Sequence, residues 1–197
     1  MKHLILLFAF VALWACSPMV ITHGIPNYAI VGQTPAGDPY IVRSGQISTT
    51  EGWDYLQSIA HGRKIHVVKL NFDAEGSDTE ATRRGWTLVY VPIQPEGDQD
   101  VATDIWDTFK VPDAANIARG KSELLTCKLH PDTDLCDVHC THGQDRTGEI
   151  VGEYRVDDDG WTKAAAYQEM RAHNYHPELH GLHERWENYQ AAKTAPR

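Results

Sequence analysis

Hydrophobic residues along this chain fall into short β-branched runs, separated by stretches in which they recur every three or four positions. Ile41 and Val42, then Val67, Val68 and Leu70, then Leu88, Val89, Val91 and Ile93, and finally Val138 mark four strands, over residues 40–46, 66–70, 86–93 and 136–138. Trp53, Leu56 and Ile59 or Ala60 keep helical spacing behind a Ser48 or Thr49 cap. Ile117, Leu124 and Leu125 keep it in a helix that starts at Pro112, with Gly120 a weak point inside it. Three further helices are expected over 147–155, 161–172 starting from Thr162, and 180–192. Strands alternating with helices through short connections imply parallel neighbours, so the expected class is α/β: a central, mainly parallel sheet flanked by helices on both faces.

The flanks carry a different pattern. Residues 17–38, rich in Pro, Gly and Thr, hold no sustained period and read as a tether and extended lead-in. Before them, Met1-Lys2-His3 and an apolar run over 4–15 form an export leader, too short to span a bilayer comfortably. Leu13-Trp14-Ala15-Cys16 resembles a bacterial lipobox, which implies Cys16 as the lipidated first residue of the mature protein; the alternative is an ordinary signal peptide releasing a periplasmic or secreted protein. The chain thus divides into a signal peptide (1–15), a tether and lead-in (16–38) and one domain (39–197), expected to be monomeric. Its 197 residues suffice for one such core.

A formal charge of −9 argues against a general nucleic-acid binder. Basic side chains must then be gathered locally for an anionic substrate to bind. The candidates are Arg43, Lys69, Arg83, Arg84, Lys110, His142 and Lys163.

The chemistry concentrates at His139-Cys140-Thr141-His142-Gly143-Gln144-Asp145-Arg146-Thr147-Gly148. Five residues between Cys140 and Arg146, after a strand and before a helix, make a loop able to fold round a tetrahedral dianion with its N–H groups pointing inward. Thr141, His142, Gly143, Gln144, Asp145 and Thr147 are the candidate phosphate-binding residues, and Arg146 offers a planar fork of donors for two phosphoryl oxygens. A helix N-terminus and nearby cations can pull a cysteine from about 8.5 to roughly 3.5–7.5, so Cys140 is the candidate nucleophile.

On His139, Cys140, Arg146 and Thr147 the sequence resembles the cysteine-dependent protein-tyrosine-phosphatase superfamily. Arg43-Ser44-Gly45-Gln46, Tyr154-Arg155, Gly160-Trp161 and Glu169-Met170 are similar to segments of its bacterial dual-specificity-like members, and the likeness extends over residues 40–190. The resemblance implies a compact tyrosine/dual-specificity phosphatase-like fold, a thiophosphoryl-enzyme intermediate on Cys140, a Thr147 hydroxyl directed at the sulfur, and no cofactor or metal. Trp106-Asp107 before Phe109-Lys110-Val111-Pro112 resembles the acid loop of phytase-like phosphatases, which makes Asp107 the first candidate for general acid. Asp98, Asp100 and Asp104 share that connection, and Asp145 before Arg146 resembles the in-loop acid of myotubularin and Sac-type lipid phosphatases. These likenesses favour inositol polyphosphates as substrates, with phosphoproteins as the alternative within the class. A non-catalytic phosphate-binding lipoprotein is the alternative outside it.

Two further sets of residues stay open. Cys127 and Cys136 are free to pair in an oxidising compartment, or Cys136 could instead trap Cys140 as a reversible disulfide. His176, His180 and His183 cluster near the C-terminus, but Pro177 interrupts the spacing and no ligand set is complete, so no metal is expected.

Overall fold

The computed structural model describes residues 20–94 and 113–191. The β-branched runs pair as expected: β4 (Pro39–Gly45), β5 (Lys64–Lys69), β6 (Thr87–Tyr90) and β7 (Asp134–Cys140) form the parallel part of a five-stranded sheet. Its order is β3-β4-β7-β5-β6, with β3 (Ala29–Gln33) antiparallel at one edge. A two-stranded hairpin, β1 (Ile21–Thr22) and β2 (Ile25–Pro26), precedes it.

Residues 20–38 are therefore more than an extended lead-in. No period was readable there because the strands are very short and the turns between them sit at His23, Gly24 and Asn27, all with positive φ. The segment also delivers Ile25 and Val31 into the core.

Helix α1 (Thr50–Ala60) starts where expected, Thr49 accepting the Gly52 N–H at 3.1 Å. Helix α2 (Thr79–Arg83) leads to β6. Helix α3 (Asp113–Leu129) runs unbroken through Gly120, which faces Ile150, Val91 and Val68. Helices α4 (Asp145–Asp157), α5 (Lys163–Ala172, capped by Thr162 on the Ala165 N–H) and α6 (His180–Asn188) follow. None of the described helices is long and apolar enough to cross a membrane.

Period-two alternation along β7 decides what each face of the sheet receives. Cys136, Val138 and Cys140 join one core with Leu124, Ile150, Val151 and Leu182, under α3, α4 and α6. Leu135 joins the other, with Val42, Val67, Trp53 and Leu56, under α1. Both cores are closed to solvent. Cys127 on α3 and Cys136 on β7 form a disulfide with Cα atoms 6.0 Å apart, so Cys136 is not the partner of Cys140. Closing a loop of sequence separation 9 contributes about 2–3 kcal/mol in the chain-entropy account.

Candidate active site

At the C-terminal end of the parallel strands, where open α/β sheets present ligand sites, β7 ends in Cys140 and α4 begins five residues later. The intervening loop has little freedom. Gly143 adopts φ +70°, and a Cβ there would come within 2.5 Å of Gly45 N and Ser44 O, so only glycine lets the loop settle on the end of β4. Gly45 answers it, since a Cβ on that residue would meet the His142 carbonyl carbon at 2.9 Å.

Two side chains then hold the Gly143 carbonyl from below. Arg43 Nη2 and Asn27 Nδ2 each donate to it at 2.8 Å. Arg43 is 1% exposed, and burial drags its guanidinium down to about 10 against the attraction of Glu169 and Cys140. It is thus a cation beneath the loop. Gln46 N donates to Thr141 O at 3.1 Å, and Leu70 N to His139 O at 2.9 Å, which fastens both ends of the turn to the sheet.

Cys140 is a free thiol, 4% exposed, with Arg43 and Arg146 both acting on it electrostatically. Arg146 is nearly buried, and its Nη1 and Nη2 donate to Glu75 Oε2 and Oε1 at 2.7 and 2.6 Å. Glu75 also accepts from Phe72 N at 2.8 Å and from the Thr141 hydroxyl at 3.3 Å. Its carboxyl is held down to about 2, first by the Arg146 hydrogen bonds. One edge of the guanidinium is therefore spent on Glu75, while Nε–H has no protein partner among the described residues and remains for a phosphoryl oxygen.

The remaining loop residues divide. His142 is exposed, Gln144 is half-buried, and Thr147 is buried with a hydroxyl that bonds nothing, so the expected hydroxyl-to-sulfur bond is not formed in this arrangement. Asp145 turns towards the connection before α6, where Oδ1 accepts from His176 N at 2.8 Å and lies 3.0 Å from His176 Nδ1. That engagement leaves it bracing a loop rather than standing free over the cradle as an acid. Asp107, Asp98, Asp100 and Asp104 lie outside the described residues, as does Lys110.

Beneath the cradle, on the α1 side of the sheet, the alternation places charge where an apolar core would be expected. Asp137, His139, Lys69 and Asp78 are all fully or almost fully buried. Ser44 Oγ donates to Asp137 Oδ1 at 2.8 Å, yet burial still pushes that carboxyl up to about 6. His139 Nε2 lies 3.4 Å from Asp78 Oδ2; burial opposes its charge, but Asp78, Asp137 and Cys140 outweigh burial and raise it above the usual imidazole value.

Of the other basic candidates, Arg83 and Arg84 pair with Glu80, Arg84 also with Asp54, and Lys163 binds the Glu187 and Tyr189 carbonyls. None of the three touches the loop. Among the described residues no group of three His, Cys, Asp or Glu side chains is arranged to hold a metal ion.

Solved structures share this fold. TpbA of P. aeruginosa superposes with a TM-score of 0.52 at 16% identity, over 76% of this chain and 80% of its own. The Siw14 catalytic core gives 0.55 at 16% identity, over 88% and 89%. The chain has the fold of the cysteine-dependent phosphatases. PTPMT1, solved in complex with PI(5)P, has the same fold at a TM-score of 0.51 and 15% identity, over 81% of this chain and 96% of its own. No protein-family profile matches the chain, and no curated protein does.

Within this phosphatase fold, the residues that sequence reading missed are Glu75, Asp78 and Asn27. Glu75 lies 71 positions from the arginine it holds and sat inside a stretch read only as polar and acidic. Its one local signal is the side-chain bond back to Phe72 N, the mark of a helix start rather than of a site.

Proposed function

We propose that the protein is a cysteine-dependent phosphomonoesterase. The observation that carries this reading is a free cysteine at a strand end, on a glycine-hinged loop closed by an arginine with one donor edge committed and the other open. Cys140 thiolate attacks phosphorus, forming the S–P bond as the P–O bond to the leaving group breaks. The leaving oxygen takes a proton from an acid, for which Asp107 is the first candidate. Water then cleaves the S–P bond, releasing inorganic phosphate and the cysteine. Arg146 Nε–H and the loop N–H groups bind the equatorial oxygens, where charge builds in the transition state.

Inositol polyphosphates are the favoured substrate class. Likeness of fold to Siw14, described as a PP-IP phosphatase, and to PTPMT1 with its PI(5)P supports that choice. Phosphotyrosine is the second reading, favoured by a different observation. Among the described residues, Arg146 is already matched by Glu75, and the other cations by the cradle, Arg43 and Lys69, are buried beneath it rather than at its rim. Such a rim suits a substrate bearing one phosphate, and TpbA has been solved in complex with pTyr.

A panel of inositol hexakisphosphate, phosphoinositide vesicles and phosphotyrosine peptides, assayed for phosphate release with chelator present, separates the readings. Cys140→Ser should abolish release while preserving binding of the preferred substrate. Turnover by Cys140→Ser near the wild-type rate, or no release from any of the three, removes the phosphatase reading.

Export with acylation at Cys16 is part of the same proposal. Asn27 N donates to Val20 O at 2.7 Å, which sets the first described residue beside the one that holds Gly143. Cys16 is four positions earlier, at most about 14 Å of chain. An anchored form would therefore hold the cradle close to a bilayer. Fatty-acid labelling of cells expressing the full chain should mark the protein and not its Cys16→Ser variant; equal labelling, or none, refutes the anchor.

A further inference from the structure

The loop between β5 and α2 carries Glu75 onto Arg146, and what holds that loop is a lysine buried in the sheet. Lys69, the last residue of β5, has a side chain with no solvent exposure. Its Nζ donates to Asp73 Oδ1 at 2.6 Å and to Gly76 O at 2.5 Å, and lies 3.6 Å from Asp78 Oδ2. The Tyr90 ring stands 5.6 Å from it on the open side. A buried ammonium needs acceptors for all three of its protons. Every oxygen it meets comes from residues 73–78, on both sides of Glu75.

The same centre reaches the cradle by a second route. Lys69 pairs with His139 across β5 and β7, and both side chains approach Asp78 Oδ2, Lys69 at 3.6 Å and His139 at 3.4 Å. Gln46 Nε2 donates to Asp78 Oδ1 at 2.5 Å. One carboxylate thus joins the residue before the nucleophile to the lysine that anchors the Glu75 loop.

We propose that Lys69 is a positioning residue for Arg146: by latching residues 73, 76 and 78 it fixes the Glu75 carboxylate, and through it the orientation of the guanidinium that meets the phosphoryl group. Lys69 itself touches no substrate. The consequence for catalysis rests on the phosphatase reading above, whereas the latch on Arg146 does not.

Arginine side-chain NMR of the full chain, with the Arg146 signals identified by Arg146→Lys, reads the latch without any turnover. In the wild type the Arg146 Nη protons should exchange slowly and rotate slowly. Lys69→Met should abolish that protection. Asp73→Asn, which alters only the 79% exposed arm of the latch and leaves the buried charges in place, should weaken it and keeps the test valid if Lys69→Met does not fold. Vanadate inhibition supplies the functional arm. Its inhibition constant should rise about tenfold in Lys69→Met, the scale of one hydrogen bond to a charged group, and adding Glu75→Gln should raise it no further because both changes cut one path. Arg146 protons as protected in both variants as in the wild type overturn the proposal, as do multiplicative losses in the double variant. A wild type that ignores vanadate refutes the phosphatase reading, and the NMR comparison still decides the role of Lys69.

Discussion

The two faces of the sheet are built from alternate residues of the same strands, yet they are put to different uses. Under α3, α4 and α6 the packing is mostly apolar: Val68, Val138, Leu124 and Ile150 carry no charge, and Cys140 is the last member of that face, although Arg43, Glu149, Glu153 and Arg155 are buried there too. Under α1 the first half is apolar as well, with Leu135, Val67 and Leu56, but the end nearest the cradle holds Ser44, Asp137, His139, Lys69 and Asp78. Apolar packing is non-directional and supplies stability in proportion to area. It cannot aim a guanidinium. Hydrogen bonds and ion pairs can, at the cost of burying charge, and several such groups are gathered below the phosphate loop.

If this division is real, changes on the two faces must separate stability from activity. Leu124→Ala, on the apolar face and fully buried, should cost about 2–5 kcal/mol of unfolding free energy while the folded fraction keeps its catalytic constants; chemical denaturation with activity titrated to folded protein checks both. A fall in kcat comparable to the loss of stability would show that the apolar face also aims the site.

Glu75→Gln, at the mouth of the ionic face, should behave in the opposite way. It should raise KM about tenfold and lower global stability at neutral pH modestly, because its carboxylate is partly exposed. Its pH signature has a definite sign. A carboxyl held down to about 2 contributes stability above its ordinary value of 4.5, and loses it as pH falls from there towards 2. The wild type should lose that increment over this window and the glutamine variant should not. Parallel acid-unfolding curves for the two proteins would remove Glu75 as the partner of Arg146.

Much of the fold was legible before any coordinates. Thr49 and Thr162 cap the helices their spacing announced, and the β-branched runs became the parallel strands. Residues 20–33 were not legible, because β1 and β2 hold only two residues each and the pairing of β3 is irregular, with register shifts between Ile30 and Gln33. Gly120 looked like a weak point in α3, but packing of the helix against Ile150, Val91 and Val68 outweighs the propensity cost of one glycine. Cys127 and Cys136 could be named as a pair but not joined, since bonding requires their Cα atoms 6.0 Å apart, a fact of tertiary packing.

The primary structure by itself determined the candidate nucleophile, the arginine and the length of the loop between them, because those are local: five residues, a strand before and a helix after. Only the tertiary structure decided what surrounds them. Glu75 on Arg146, Arg43 and Asn27 on Gly143, and Lys69 with His139 at Asp78 all span long separations in sequence. No periodicity records such partners, since a hydrogen bond depends on where two side chains meet in space, and a strand's alternation says only which face each one leaves from.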